Sequence, residues 1–199
     1  MTLREFFEEN PVCAVAFSGG VDSAVLLSAA VAYGRKTAAY FVRTVFQPVF
    51  ELEDARETAG RLGVELRVLE ADILAVPEVA ANPADRCYYC KRALFTRLLE
   101  EAARDGFPVV VDGCNASDDA GDRPGMRALA ELGIRSPLRE CGIGKIEVRR
   151  MAREAGLRVW AKPSYACLAT RVPAGTAVAA AALARVERGE TALMALGFS

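Results

Sequence analysis

Histidine is absent from this 199-residue chain. Its absence excludes Cys–His and Ser–His nucleophilic pairs and zinc sites with imidazole ligands. Acid–base chemistry therefore falls to carboxylates, lysine, tyrosine or thiols. An excess of charge of either sign is also missing: 25 Lys and Arg face 26 Asp and Glu, a formal net charge of −1. That balance speaks against a surface that coats nucleic acid. No apolar run approaches the roughly 18 residues that a membrane helix requires. The first ten residues, acidic at Glu5, Glu8 and Glu9, lack the basic-then-apolar layout of a signal peptide. A cytoplasmic protein with no membrane and no nucleic-acid partner is expected.

What is present suits one domain, or one domain with an appendage. Hydrophobic residues make up 52% of the chain, enough to bury a substantial core. The six cysteines of so long and apolar a chain do not read as a disulfide scaffold. Short apolar runs alternate with amphipathic stretches, the pattern of βα units around a parallel sheet. Strands are expected at 12–17, 37–43, 64–69 and 109–112, with a short fifth at Ser136-Pro137-Leu138. Helices are expected at 22–33, 50–62, 91–105, 126–132 and 147–155, and a last alanine-rich one after Pro173-Ala174-Gly175-Thr176. In such open sheets ligands bind beyond the carboxyl ends of the strands, where strand order switches.

The loop after the first strand reads Ser18-Gly19-Gly20-Val21-Asp22-Ser23. Free backbone N–H groups, hydroxyls and a helix N-terminus together suit a phosphate or pyrophosphate; the same residues would also serve an ordinary strand-to-helix turn. The loop after the fourth strand, Asp112-Gly113-Cys114-Asn115-Ala116-Ser117-Asp118-Asp119, carries three acids and Asn115, a donor set for Mg²⁺, or else a solvated run of Asx turns. Arg123 behind it could meet a phosphate or carboxylate bidentately. Cys87-Tyr88-Tyr89-Cys90-Lys91 has metal-knuckle spacing but no second pair of ligands, so packing or subunit contact is the expected role. Cys167 lies between Lys162 and Arg171, cations that would lower its thiol pKa, although a lone Cys beside Ala and Leu also reads as a buried apolar residue.

Taken in order, the 18–23 loop, Arg86-Cys87-Tyr88-Tyr89-Cys90-Lys91, Asp112-Gly113 with Asn115, Asp118 and Asp119, Arg123-Pro124-Gly125, and Lys162-Pro163-Ser164 with Ala166-Cys167-Leu168-Ala169 and Arg171 resemble the LarE family. These are ATP-dependent sacrificial sulfur transferases of nickel-pincer cofactor assembly, within the N-type ATP pyrophosphatases (PP-loop enzymes). The resemblance covers nearly the whole chain. It implies an adenine-nucleotide alpha-hydrolase-like (Rossmann-like) α/β fold: a parallel sheet of about five strands flanked by helices, with residues 1–171 as the PP-loop domain. Relatives continue with a β-rich segment, so residues 172–199 are expected to be the helical start of a truncated C-terminal domain.

The resemblance further implies ATP and Mg²⁺ as cofactors and a small nucleotide as substrate. Family members adenylate the carboxylates of pyridinium-3,5-biscarboxylic acid mononucleotide and convert them to thiocarboxylates for the lactate racemase cofactor. Carried onto this chain, Ser18, Gly19, Gly20, Val21, Asp22, Ser23, Gly113 and Asn115 hold ATP. Arg123, Lys162 and Ser164 meet substrate or phosphate, and Asp22, Asp118, Asp119 and Glu190 hold metal. Cys167, Asp22 and Arg171 are catalytic. A homo-oligomer and contact with other nickel-pincer biosynthesis proteins are implied as well. Some relatives hold an iron–sulfur cluster on three cysteines of the last motif; here Pro163, Ser164 and Cys167 leave only one, implying the version in which Cys167 gives up its own sulfur. The alternatives are a tRNA-thiolating or amidating PP-loop ligase, or a nucleotide-binding module inactive for want of its C-terminal segment.

Overall fold

The run Val12-Cys13-Ala14-Val15-Ala16 has no polar face, and such a strand is stable only with both faces covered. The computed structural model, which describes residues 1–118 and 124–198, covers both. In chain order its elements are α1 (Leu3–Glu9), β1 (Val12–Ala16), α2 (Val21–Tyr33), β2 (Lys36–Arg43), α3 (Val49–Arg61), β3 (Leu66–Glu70), α4 (Pro77–Ala80), α5 (Arg86–Arg104), β4 (Val109–Val111), α6 (Pro124–Glu131), α7 (Pro137–Glu140), α8 (Lys145–Glu154) and α9 (Ala180–Ala195). Single turns of 3₁₀ helix lie at Ile73–Ala75, Arg158–Ala161 and Leu168–Arg171. No described helix is long and apolar enough to cross a membrane.

The strands form one parallel sheet in the order β3-β2-β1-β4. Side chains alternate across it. Cys13 and Val15 of β1, with Ala39 and Phe41 of β2, join a core with Phe6 and Phe7 of α1, Leu26 and Leu27 of α2 and Val148 and Ala152 of α8. Ala14 and Ala16, with Tyr40 and Val110, face Leu98 and Ala102 of α5 and Leu129 of α6 on the other side. Phe6 and Phe7 are fully buried, each contributing about 1.5–3 kcal/mol. Their helix begins with a capping box: Glu5 N–H donates to Thr2 Oγ1 (3.2 Å) and Thr2 N–H to the Glu5 carboxylate (2.7 Å).

Four strands stand among the described residues where about five were expected. The fifth position survives as one bridge, Val111 to Arg135, after which the chain turns into α7. Pro137 lacks the N–H a ladder needs, and its fixed φ starts a helix instead. Glu140 reinforces the turn by accepting from Ser136 N–H (2.9 Å) and pairing with Arg135. α5 begins at Arg86 rather than near Lys91, which places Cys87 and Cys90 on its first turns.

From β1 the chain adds β2 and β3 on one side, then β4 on the other. The order therefore switches between β1 and β4, which pair through Val15 and Val111, and their carboxyl ends open a crevice there. A third cluster, with Phe46, Ile73, Val79, Leu168, Ala169, Val178 and Leu183, packs the segment around Cys167 against α4 and α9.

Candidate functional site

The 18–23 loop leaves β1 and enters α2 at an N-cap of Gly20. Gly19 sits at φ +75°, a conformation that favours glycine, and a Cβ there would lie 3.1 Å from the Glu51 carbonyl oxygen. The loop is shaped by its own hydroxyls. Ser18 Oγ and Ser23 Oγ are 3.2 Å apart, Ser23 Oγ donates to the Gly20 carbonyl (3.0 Å), and Ser18 N–H donates to Ser23 Oγ (3.3 Å). Asp22 on the first turn of α2 pairs with Lys145 from the start of α8 and accepts from Asn115 Nδ2 (3.1 Å).

The second loop closes on the first. Asp112 is buried and accepts from Ser136 Oγ (2.6 Å) and from the Cys114 thiol (2.7 Å). Burial first, and Asp112 next, push that thiol up to about 12. Asn115 N–H donates to Asp118 Oδ2 (3.0 Å). A Cβ on Gly113 would stand 2.9 Å from Ser23 N and 3.2 Å from Ser23 Cα, a contact with backbone that cannot rotate away. Gly113→Ala is thus expected to part the two loops, destabilising the fold by about 1–3 kcal/mol and weakening ATP binding by at least about tenfold. Thermal denaturation and titration calorimetry with ATP measure the two effects.

Two neighbouring cavities are lined by the 18–23 loop. One of about 400 Å³ is lined by Phe17, Phe41, Leu94 and Phe95 and by Asp22, Asp118 and Gly113. The other, of about 280 Å³, shares Ser18, Asp22 and Gln47 with it and adds Glu51, Lys145, Lys162, Ser164 and Cys167. The sequence thus placed Ser18, Gly20, Val21, Asp22, Lys162, Ser164 and Cys167 around one space, although they lie up to 149 positions apart. Lys145, Glu51 and Gln47 were not foreseen.

Cys167 is held by distant partners. Arg86, buried at 7% exposure, donates through Nη1 to Asn82 Oδ1 (2.7 Å) and to the Ala169 carbonyl (2.8 Å). Its Nη2 lies 3.8 Å from Cys167 Sγ and 3.9 Å from Cys87 Sγ. Asn82 Nδ2 donates to the carbonyls of Val172, Pro173 and Thr176. Arg171 donates to the Ala166 and Cys167 carbonyls and pairs with Glu190 (2.6 Å). The expected lowering of the Cys167 pKa is corrected here. Lys162 is paired with Asp54 and Arg171 with Glu190, and burial raises the thiol; the Arg86 guanidinium opposes that rise.

Cys87 and Cys90 share this neighbourhood, Cys90 packed in the same apolar cluster as Cys167 and Cys87 exposed. Burial pushes Cys90 up to about 12, with Cys167 and Cys87 adding to the rise. Counting thiols within the last motif alone missed them. They do not complete a metal site, because no three His, Cys, Asp or Glu among the described residues stand so as to hold a metal ion.

Mg²⁺ bound to a nucleotide needs only one or two carboxylates besides phosphate oxygens. Asp22 and Asp118 line the larger cavity together and fit that requirement. Glu190 lines a neighbouring groove with Leu193 and Phe198 and is taken by Arg171 and Tyr165. The metal role expected of Asp119 and the phosphate role expected of Arg123 lie outside the described residues.

Residues 5–119 match the asparagine synthase family. The chain is 39% identical to an uncharacterized protein of Synechocystis over 99% of this chain and 74% of that one. It is 34% identical to the pyridinium-3,5-bisthiocarboxylic acid mononucleotide synthase of Lactiplantibacillus plantarum, over 92% of this chain and 67% of that enzyme. The fold is that of an NMN synthetase from Francisella tularensis, with TM-score 0.64 at 18% identity over 96% of this chain and 91% of that one.

Proposed function

Because the chain belongs to the LarE family of PP-loop enzymes, we propose that it adenylates the carboxylates of pyridinium-3,5-biscarboxylic acid mononucleotide and transfers to them the sulfur of Cys167. One observation carries this reading: the cavity of about 280 Å³ is lined by Ser18, Gly20 and Asp22 of the loop and by Cys167. An adenylate formed over the loop then lies within reach of the thiol.

The apolar walls of the larger cavity, Phe17, Phe41 and Phe95, suit a purine, which leaves the phosphates on the 18–23 loop. Bound there, Mg²⁺ would be held by Asp22 and Asp118 and would offset phosphate charge. A substrate carboxylate attacks the α-phosphorus and pyrophosphate leaves. Loop N–H groups and Lys145 are placed to stabilise the spread phosphoryl charge. The product is an acyl-adenylate, whose carbonyl the Cys167 thiolate attacks, displacing AMP and forming a thioester. Arg86 stands beside that sulfur as it becomes charged. Loss of the residue 167 α-hydrogen then breaks the Cβ–Sγ bond, giving a thiocarboxylate and dehydroalanine, one turnover per Cys167.

Incubation with ATP, Mg²⁺ and the pyridinium mononucleotide is expected to leave residue 167 lighter by one H₂S in peptide mass spectra. An unchanged mass, in protein shown to bind ATP, would rule the sacrificial route out.

A further inference from the structure

Elimination at residue 167 needs a base, and a chain without histidine must find one among its other side chains. Resting on the sulfur-transfer reading above, we propose that the Glu51 carboxylate removes the α-hydrogen of residue 167 from the thioester. The Cα–H electron pair becomes the Cα=Cβ bond, the Cβ–Sγ bond breaks, and sulfur leaves with its electrons as the thiocarboxylate. The proton stays on Glu51.

The placement rests on several contacts. Glu51 lies on the first turn of α3 and lines the cavity of about 280 Å³ with Cys167. The α3 entrance is fastened to the Cys167 segment twice: Leu168 N–H donates to the Phe46 carbonyl (2.9 Å), and the Phe50 and Tyr165 rings meet edge to face at 5.2 Å. Its rivals are engaged. Asp22 pairs with Lys145, Asp54 with Lys162, and Glu190 with Arg171 and Tyr165. Among the described residues the Glu51 carboxylate has no ion pair or hydrogen bond; Lys162, Asp54 and Tyr165 act on it electrostatically, and Asp22, Lys145 and Cys167 line the same cavity. Burial pushes Glu51 up to about 7; Lys162 opposes the rise and Asp54 adds to it. A carboxylate so poised is a stronger base than an exposed one yet still ionises near neutrality.

The test compares wild type and Glu51→Gln, each given ATP, Mg²⁺ and the pyridinium mononucleotide and followed by pyrophosphate release and intact-protein mass. The variant is expected to release pyrophosphate and to accumulate a heavier protein, the thioester, which hydroxylamine cleaves. Its loss of H₂S is expected to be at least about 100-fold slower than in wild type. In wild type the elimination rate should rise with pH and level off above about 7, because only ionised Glu51 accepts the proton. Dehydroalanine formed by Glu51→Gln at the wild-type rate overturns the assignment. So does a variant that releases pyrophosphate without forming thioester, since the carboxylate then serves the thiol's attack, and so does one that releases none. If wild type itself loses no H₂S, the sulfur-transfer reading fails, and that result is distinct from all of these.

Discussion

Cys167→Ala is expected to yield no thiocarboxylate and no change in mass at residue 167, while pyrophosphate is still released when substrate and ATP are added. The adenylation step proposed above draws on the 18–23 loop, Lys145, Asp22 and Asp118, none of which is bonded to the thiol. The Cys167 thiol meets Arg86, whose other nitrogen stays bonded to Asn82 and Ala169, and the backbone of Ala169 and Thr170. Removing the sulfur therefore leaves the Arg86 contacts to Asn82 and Ala169 in place and deletes only the proposed nucleophile, so on that reading no residual route remains. Cys167→Ser sharpens the test: an oxygen nucleophile can form an ester but has no sulfur to deliver. An amidating ligase on this fold would make its product unimpeded in both variants. Pyrophosphate assay and product mass spectrometry separate the two outcomes.

Arg86→Ala is expected to cause the largest loss of stability of any single change at the site. The guanidinium is buried, and its removal strands the Asn82 side-chain oxygen and the Ala169 carbonyl. Each stranded acceptor costs about 1–3 kcal/mol, so roughly 2–4 kcal/mol in total is expected after local relaxation. For a chain of this size the melting temperature should fall by roughly 5–15 °C. The same change withdraws the cation that opposes the raised pKa of Cys167, so alkylation of that thiol should require higher pH than in wild type. Arg86→Lys keeps the charge without the fork and should recover part of the thiol reactivity but less of the stability. Thermal melts and the pH profile of iodoacetamide labelling read the two effects separately.

The parts of this site that depend on neighbours in sequence were legible from the chain. The apolar run before Ser18 and the glycines after it announce a strand, a turn and a helix start, and these stand where expected. The acidity of the first ten residues says nothing of the helix Leu3–Glu9, which is announced only by the capping box of Thr2 and Glu5. The apolar Leu138 suggests a fifth strand, but the proline before it forbids a ladder, and Leu138 is buried from a helix instead. Other features depend on long-range closure and have no local signature. Lys145 reaches Asp22 across 123 positions and Arg86 reaches Cys167 across 81, so neither pairing could be read from spacing. Glu51 is an ordinary first-turn acid of an amphipathic helix until the fold half-buries it in the wall of the cavity that Cys167 also lines.

The burial of Cys167 has a consequence for the life of the protein before it ever meets substrate. Oxidants attack thiolates, and a thiol whose pKa is raised exposes little thiolate to them. On the sulfur-transfer reading proposed above, Cys167 is a reagent used once that has to be kept fresh, and the wall that slows its ionisation would be its stopper. On that reading each copy would be stored as a loaded cartridge, its sulfur inert until an activated carbonyl enters the chamber.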